Sequence, residues 1–132
     1  MKRLVTAIGF LFAALSAAGC FPYHFTLVPG ATGRVVDSHA GTPIRQGLVT
    51  LTDRYRPDDH VSTARTSADG RFEIPAKQMW SLFITPFDPA PATAVVSFQA
   101  DGYADVEKRI SVTVMGPAMT DLGTIPMTRG TQ

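Results

Sequence analysis

Short apolar runs separated by turn residues fill the chain from residue 31 onward, and no run sustains a helical period for three turns. In residues 47–53, Val49 and Leu51 fall on one side of an extended chain, while Thr50 and Thr52 fall on the other. Such alternation is typical of a strand with one buried face. The pattern therefore predicts a chain built from short β-strands.

Turn residues indicate where these strands end. Gly and Pro near residues 41–44 predict one turn, because Gly frees φ and Pro fixes it. Asp69 and Gly70 lie between two strand-like runs, residues 61–66 and 71–75, and Asp-Gly is a strong hairpin signal. We therefore expect those two runs to pair as a β-hairpin.

The remaining apolar segments complete an all-β pattern. Further strands are expected at residues 32–37, 94–100 and 103–114, with inward-facing residues at Trp80, Leu82, Ile84, Leu122, Ile125 and Met127. Trp80 is expected to lie in the core. Seven or eight short strands over about 100 residues favour a single antiparallel Greek-key sandwich over a parallel α/β sheet.

The amino terminus predicts a targeting segment rather than part of this fold. Lys2 and Arg3 precede an uncharged apolar run over residues 4–18, which is shorter than the roughly 20 residues that a membrane-spanning helix needs. The stretch from Leu15 to Cys20 resembles the lipobox of bacterial lipoprotein precursors. The alternative is an ordinary secretory signal, which would leave the single cysteine as a free exported thiol.

The lipobox resemblance implies lipid addition to the Cys20 thiol, cleavage between Gly19 and Cys20, and acylation of the new amino terminus. Each buried methylene adds about 0.8 kcal/mol of membrane affinity, so several acyl chains anchor firmly. Phe21 stands where an Asp would resemble an inner-membrane retention signal. We therefore expect a lipid-anchored protein of a Gram-negative outer membrane that faces the periplasm.

This interpretation divides the chain into four parts. They are a signal peptide at residues 1–19, a lipidated tether at 20–30, a β-sandwich at 31–128 and a polar tail at 129–132. The tether is richly apolar, so we expect part of it to lie against the domain or close to the lipid surface.

Charge argues against nucleic-acid binding. Removing Lys2 and Arg3 from the 12 basic residues leaves 10 against 11 acidic residues, a net charge of −1. Arg54 and Arg56 come close to a basic patch, but Asp58 and Asp59 neutralise it, so a solvated loop is expected. With one cysteine, the chain cannot form an internal disulfide, and nothing in it indicates a cofactor.

Three motifs in order resemble the carboxypeptidase regulatory-like domain, a transthyretin-type sandwich with immunoglobulin-like architecture. They are residues 33–51, which hold Gly33-Arg34-Val35-Val36-Asp37 and Gly41-Thr42-Pro43-Ile44, residues 66–74, and Ala100-Asp101-Gly102-Tyr103. The resemblance implies an accessory or binding module without peptidase activity. It also implies structural turn roles for Gly33, Pro43, Asp69, Gly70, Gly102 and Tyr103.

Enzymatic interpretations find little support in the sequence. His24, His39 and His60 belong to no HxxE or HExxH pattern of a zinc peptidase. The tail at 128–132 lacks the tyrosine of transthyretin-like purine hydrolases, and Tyr23 and His24 lie in the tether rather than in an iron site like that of intradiol dioxygenases. We therefore expect a protein that is not an enzyme, with a small hydrolase as the least favoured alternative.

The leading hypothesis is a binding or accessory module for an envelope protein, with contacts through loops 54–60 and 86–91, because loops carry recognition more often than strands do. The alternative is a carbohydrate-binding or nutrient-uptake accessory, for which an exposed Trp80 beside aromatic residues is the discriminating feature. The candidate ligand surface consists of Arg54, Arg56, Asp58, Asp59, Trp80 and Phe87.

Overall fold

The computed structural model describes residues 6, 8, 9, 13, 23–54, 58, 61–81, 91–113 and 116–130. Residues 6, 8, 9 and 13 are helical. Among the described residues, no helix has the length and apolar content needed to cross a bilayer. Gly19 and Cys20, on which the predicted cleavage and lipidation fall, lie outside the described residues.

The described residues form nine strands. They are β1 Tyr23–Val28, β2 Gly30–Asp37, β3 Leu48–Asp53, β4 Val61–Arg65, β5 Arg71–Ile74, β6 Lys77–Ser81, β7 Ala92–Gln99, β8 Val106–Val112 and β9 Met119–Met127. The predicted all-β sandwich is thereby confirmed, with nine described strands rather than the expected seven or eight.

The strands form two main sheets and a ribbon. One sheet has the order β4-β3-β7-β8 and is antiparallel throughout. The other has the order β5-β2-β9, in which β2 pairs antiparallel with β5 but parallel with β9. Parallel neighbours require a crossover, and the chain supplies one by passing through β3–β8 before it reaches β9. The antiparallel prediction therefore holds for every described pair except β2–β9.

The core lies between the two main sheets and follows the alternation in the sequence. Val49 and Leu51 are buried on β3, and the rings of Phe72 and Phe98 meet edge to face with their centroids 5.4 Å apart. Such a contact adds to the burial of both rings and fixes how the sheets face each other. The other buried apolar residues of the core include Val35, Ile74, Ala94, Val96, Ile110, Ile125 and Met127.

The hairpin prediction at Asp69 and Gly70 is wrong. β4 pairs with β3 in one sheet, while β5 pairs with β2 in the other, so the turn between them connects two sheets. The carbonyl of Gly70 accepts a hydrogen bond from the Val35 amide over 2.8 Å, which ties the turn to β2. Gly70 has φ +77°, a conformation that glycine adopts without steric cost.

Residues 23–30, which the sequence analysis assigns to the tether, form β1 and the start of β2. Thr26, Val28 and Pro29 are buried. Pro29 separates the two strands. The described fold thus begins three residues after Cys20.

The prediction that Trp80 lies in the core is also wrong, since 69% of the residue is exposed. Trp80 belongs to β6, which pairs with β1 in a separate two-stranded sheet. Within the ribbon, β1 packs on the sandwich through Thr26 and Val28, whereas residues 77–80 of β6 are all exposed. Leu82 and Ile84, expected on the same face, lie outside the described residues.

Candidate functional site

A buried carboxylate occupies the end of β2. Asp37 is 1% exposed, and its Oδ1 accepts hydrogen bonds from the backbone amides of His39 at 2.8 Å and Ala40 at 3.0 Å. Its Oδ2 accepts one from the Tyr103 hydroxyl at 2.9 Å and one from Arg129 Nε at 3.1 Å. Four donors therefore satisfy one carboxylate.

This arrangement makes Asp37 a poor acid or base. The backbone amides of Ala40 and His39, and then Tyr103 and Arg129, hold the pKa of Asp37 far below its ordinary value of 3.8, against the opposing effect of burial. A general base needs a pKa near the working pH and an oxygen within reach of substrate. Asp37 meets neither condition, and its contacts give it a structural role.

Tyr103 obtains here the partner that its half-buried hydroxyl requires. It lies at the turn between β7 and β8, where its amide donates to the Ala100 carbonyl over 3.1 Å and Gly102 has φ +82°. The structural role expected for Tyr103 therefore includes a hydrogen bond to Asp37. Nothing in the sequence singles out Asp37 as the partner, because a strand-end aspartate also suits an ordinary turn.

An open groove of about 620 Å³ lies around Gly33, lined by residues of β2, β5 and β9 together with Ala64 and Arg65 of β4. Gly33 lies inside β2 rather than in a turn, opposite a register shift in β9. A Cβ at this position would lie 2.9 Å from the Phe72 ring and 3.0 Å from the Gly123 carbonyl oxygen. Its glycine is therefore explained by close packing, and the sequence-based turn assignment is wrong here.

The charges around this groove are mixed and partly paired. Arg71 Nε lies 3.1 Å from Asp69 Oδ2, and Arg34 Nε donates to the Asp69 carbonyl over 2.9 Å. Glu73 and Asp121 lie on the same face, each opposite Thr32 in the strand pairing. Because both signs alternate across an open surface, the groove does not select an anion or a cation.

A second open groove, of about 640 Å³, borders the turn before β3. Arg45, Gln46 and Asp105 line it, and Gln46 has φ +60°, the one positive φ among the described residues other than glycine. Gln99 Nε2 donates to Asp105 Oδ2 over 3.0 Å, so part of the lining is already paired. Arg65 Nη1 also donates to the Gln46 carbonyl over 3.1 Å, so two pairs of polar groups in the lining contact each other.

Exposed aromatic surface is found on the ribbon of β1 and β6. The rings of His24 and Trp80 have centroids 4.4 Å apart at an angle of 32°, and the two residues face each other in the strand pairing. Met79 beside Trp80 is 49% exposed. The ribbon thus presents an indole, an imidazole and a thioether to the surroundings.

The structure describes part of the predicted ligand surface. Arg54 and Asp58 are exposed, whereas Arg56, Asp59 and Phe87 lie outside the described residues. Arg54 donates its backbone amide to the Thr93 carbonyl over 3.2 Å, so the loop after β3 leaves the sandwich beside the start of β7. The two predicted contact loops, 54–60 and 86–91, therefore have neighbouring attachment points.

The histidines do not form a metal site within the described part of the chain. His24 contacts Trp80, whereas His39 lies in the turn after β2 with its Nδ1 3.4 Å from Ser38 Oγ. His60 lies outside the described residues. Among the residues that the structure describes, no group of three or more His, Cys, Asp or Glu side chains is placed to hold a metal ion.

Comparison with known proteins gives a likeness in fold only. The sequence matches no protein-family profile and no curated protein. Catechol 1,2-dioxygenase from Pseudomonas arvilla C-1 is similar in structure, with 13% identity and a TM-score of 0.50, over 81% of this chain and 54% of that one. This chain thus spans about half the length of that enzyme.

Two further structures show the range of similar proteins. The 5-hydroxyisourate hydrolase of Klebsiella pneumoniae has 13% identity and a TM-score of 0.47, covering 79% of this chain and 100% of that one. The pilus 2b backbone protein of group B streptococcus has the same identity and TM-score over 79% of this chain and 42% of that one. At such identities, the likeness to the dioxygenase shows a fold shared with enzymes and nothing about activity.

Proposed function

We propose that the protein is a bacterial lipoprotein, anchored through acylated Cys20 in the outer membrane and facing the periplasm. Its body is a carboxypeptidase regulatory-like sandwich that acts as a non-enzymatic binding or accessory module for an envelope protein. The anchor holds this module at the bilayer, where its partner resides.

The observation that carries this proposal is the position of β1. This strand starts at Tyr23, three residues after Cys20. Cleavage before Cys20 would remove the apolar leader and leave the body of the fold intact, with its first strand next to the acylated residue. This spacing agrees with a processing site that precedes the folded domain directly.

The chemistry of the described residues supports a non-enzymatic role. The buried carboxylate of Asp37 is fully hydrogen-bonded, and both open grooves combine charges of opposite sign. An active site instead needs polar groups that converge on one reacting atom. A small transthyretin-like hydrolase is therefore the least favoured function.

The adjacent attachment of loops 54–60 and 86–91 supports their use as a joint contact surface. The hydrogen bond from the Arg54 amide to Thr93 brings the base of one loop to the base of the other. Arg54 and Asp58 supply exposed charges of opposite sign on the first loop. Two loops on one rigid sheet end can form a single recognition surface.

Localisation and capture together test this function. The full-length chain and Cys20→Ser would be expressed in a Gram-negative host, fractionated, and used for affinity capture from detergent-solubilised envelopes. We expect wild type in the outer-membrane fraction, loss of membrane association for Cys20→Ser, and weaker capture of the partner by Arg54→Ala/Asp58→Ala. Arg45→Ala, on the second groove, is the matched control. Equal fractionation of wild type and Cys20→Ser would contradict the proposal.

Carbohydrate binding is the second candidate because Trp80 is exposed. An exposed indole can stack on a sugar ring through its apolar face. Titration of wild type with soluble peptidoglycan fragments should then shift the emission of Trp80, the single tryptophan of the chain. Unchanged emission at saturating fragment concentrations would remove this candidate.

A further inference from the structure

We infer that the ribbon of β1 and β6 is a second membrane contact, which inserts Trp80 among the lipid headgroups beside the acyl anchor. The occupant of this surface is the lipid bilayer itself. The inference rests on the proposed function, because it requires an acylated Cys20 to bring the ribbon to the membrane.

The chain between the anchor and the ribbon is short. Two residues, Phe21 and Pro22, lie between Cys20 and Tyr23, so the three Cα-to-Cα steps span at most about 11 Å when fully extended. The interfacial layer on each side of the hydrocarbon core is about 5–8 Å thick. The start of β1 is therefore held at or just above the headgroups.

The strand register of the ribbon places Trp80 beside the start of β1. Tyr23 pairs with Ser81 and His24 pairs with Trp80, so the end of β6 lies beside the start of β1. Directly opposed residues of antiparallel strands have Cα atoms about 5 Å apart. Trp80 is therefore brought to the membrane side of the protein by pairing with the second residue of β1.

Residues of β1 become more exposed towards the anchor. Val28 and Thr26 are 2% and 3% exposed at the end that joins the sandwich, whereas His24 is exposed at the end near the anchor. On β6 all four residues from Lys77 to Trp80 are exposed, Trp80 at 69% and Met79 at 49%. The ribbon thus presents two of the four exposed large apolar side chains described after residue 20, the others being Val61 and Met119.

The two strands of the ribbon carry no acidic residue. Neither β1 nor β6 therefore brings a carboxylate that anionic lipid headgroups would repel. The exposed Lys77 pairs with Val28, at the end of the ribbon away from the anchor. Tryptophan is the side chain enriched at membrane interfaces, because its ring is apolar and its N–H remains hydrogen-bonded.

Depth-dependent quenching tests the inference on the native chain. The lipidated full-length protein would be reconstituted into vesicles of phosphatidylethanolamine and phosphatidylglycerol with bromine near the headgroup or deep in the acyl chain. Trp80 emission comes from the single tryptophan of the chain, so no variant is needed for the main measurement. We expect a blue shift and a loss of emission that is greater with shallow than with deep bromine.

A matched reporter separates a specific contact from general proximity. The variant Trp80→Phe/His39→Trp moves the indole to the exposed turn after β2. The eight residues of β2, which span about 26 Å, lie between the ribbon and this turn. Emission from this variant should be unaffected by brominated lipid. Equal quenching of both reporters would overturn the assignment of the ribbon as the contact.

The outcomes also separate this inference from the proposed function. If mass spectrometry shows acylated Cys20 and the vesicles carry the protein, but Trp80 emission is unchanged, the inference fails and the anchored module stands. If Trp80 is insensitive to lipid but shifts with peptidoglycan fragments, the surface belongs to a glycan and the inference fails. An unmodified Cys20 would overturn both.

Discussion

The hydroxyl of Tyr103 donates a hydrogen bond to Oδ2 of Asp37 over 2.9 Å, although the two residues are 66 positions apart. Arg129, which follows β9, donates to the same oxygen. One carboxylate thus connects the end of β2, the turn after β7 and the chain after β9. These polar contacts hold three distant segments together at one end of the sandwich.

Tyr103→Phe should destabilise the protein by about 1–2 kcal/mol, because it removes a hydrogen bond to a charged group and leaves the ring in place. Urea unfolding followed by circular dichroism measures the change. Ser38→Ala, which removes an exposed 3.5 Å contact to Thr128, should stay within about 0.5 kcal/mol of wild type. Equal effects of the two substitutions would show that the Asp37 contact does not stabilise the fold.

Stability should fall as the pH drops through the ordinary range of an aspartate. The pKa of Asp37 is lowered on folding, so its ionised form stabilises the protein above the unfolded value of 3.8. That contribution shrinks as the pH falls from about 5 towards the folded pKa. Urea midpoints at pH 7, 5, 4 and 3 should decline for wild type and decline less steeply for Asp37→Asn.

Asp69→Asn is the control for this pH dependence. The hydrogen bond from the Ser67 hydroxyl lowers the pKa of Asp69, but its side chain is 58% exposed and solvent screens its interactions. Its midpoints should follow wild type closely. An Asp37→Asn profile as steep as that of wild type would rule out Asp37 as the titrating group.

Gly70→Ala should cost more stability than Gly41→Ala. Both glycines have positive φ, at +77° and +66°, so each alanine incurs a conformational cost of about 1–2 kcal/mol. Only at Gly70 would the new Cβ also clash with the Val35 carbonyl oxygen, whereas Gly41 has open space. Thermal unfolding of both variants checks the order, and equal losses would contradict the packing assigned to Gly70.

Trp80→Ala should change the free energy of unfolding by less than about 1 kcal/mol, since the side chain is mostly exposed. Phe98→Leu, at a residue 1% exposed, should cost more because it leaves unfilled space against Phe72. Guanidinium unfolding of both variants provides the comparison. A greater loss for Trp80→Ala would return that residue to the core.

The sequence predicted the positions and buried faces of most strands in the two main sheets, because one face of most of these strands is buried. Phe72 and Ile74 on β5, and Val96 and Phe98 on β7, alternate with more exposed neighbours as a half-buried strand requires. The turn at Asp101 and Gly102 was also predictable, since it connects strands that do pair.

The sequence could not predict which strands pair or which surface lacks a covering layer. Asp69 and Gly70 form a dipeptide that is typical of hairpin turns, but β5 pairs with β2. Local residues do not determine this long-range pairing. Trp80 is a large aromatic residue of the kind that often fills a core, and its exposure follows from the pairing of β6 with β1. The Asp37 contacts likewise depend on the meeting of three distant segments.

The lipid anchor is tested most directly by the mass of the amino-terminal peptide from protein purified out of native envelopes. We expect the mature chain to begin at Cys20, with a diacylglyceryl group on its sulfur and a further acyl chain on its amino group. An unmodified Cys20 thiol, or a mature chain that begins at another residue, would contradict the proposed anchor.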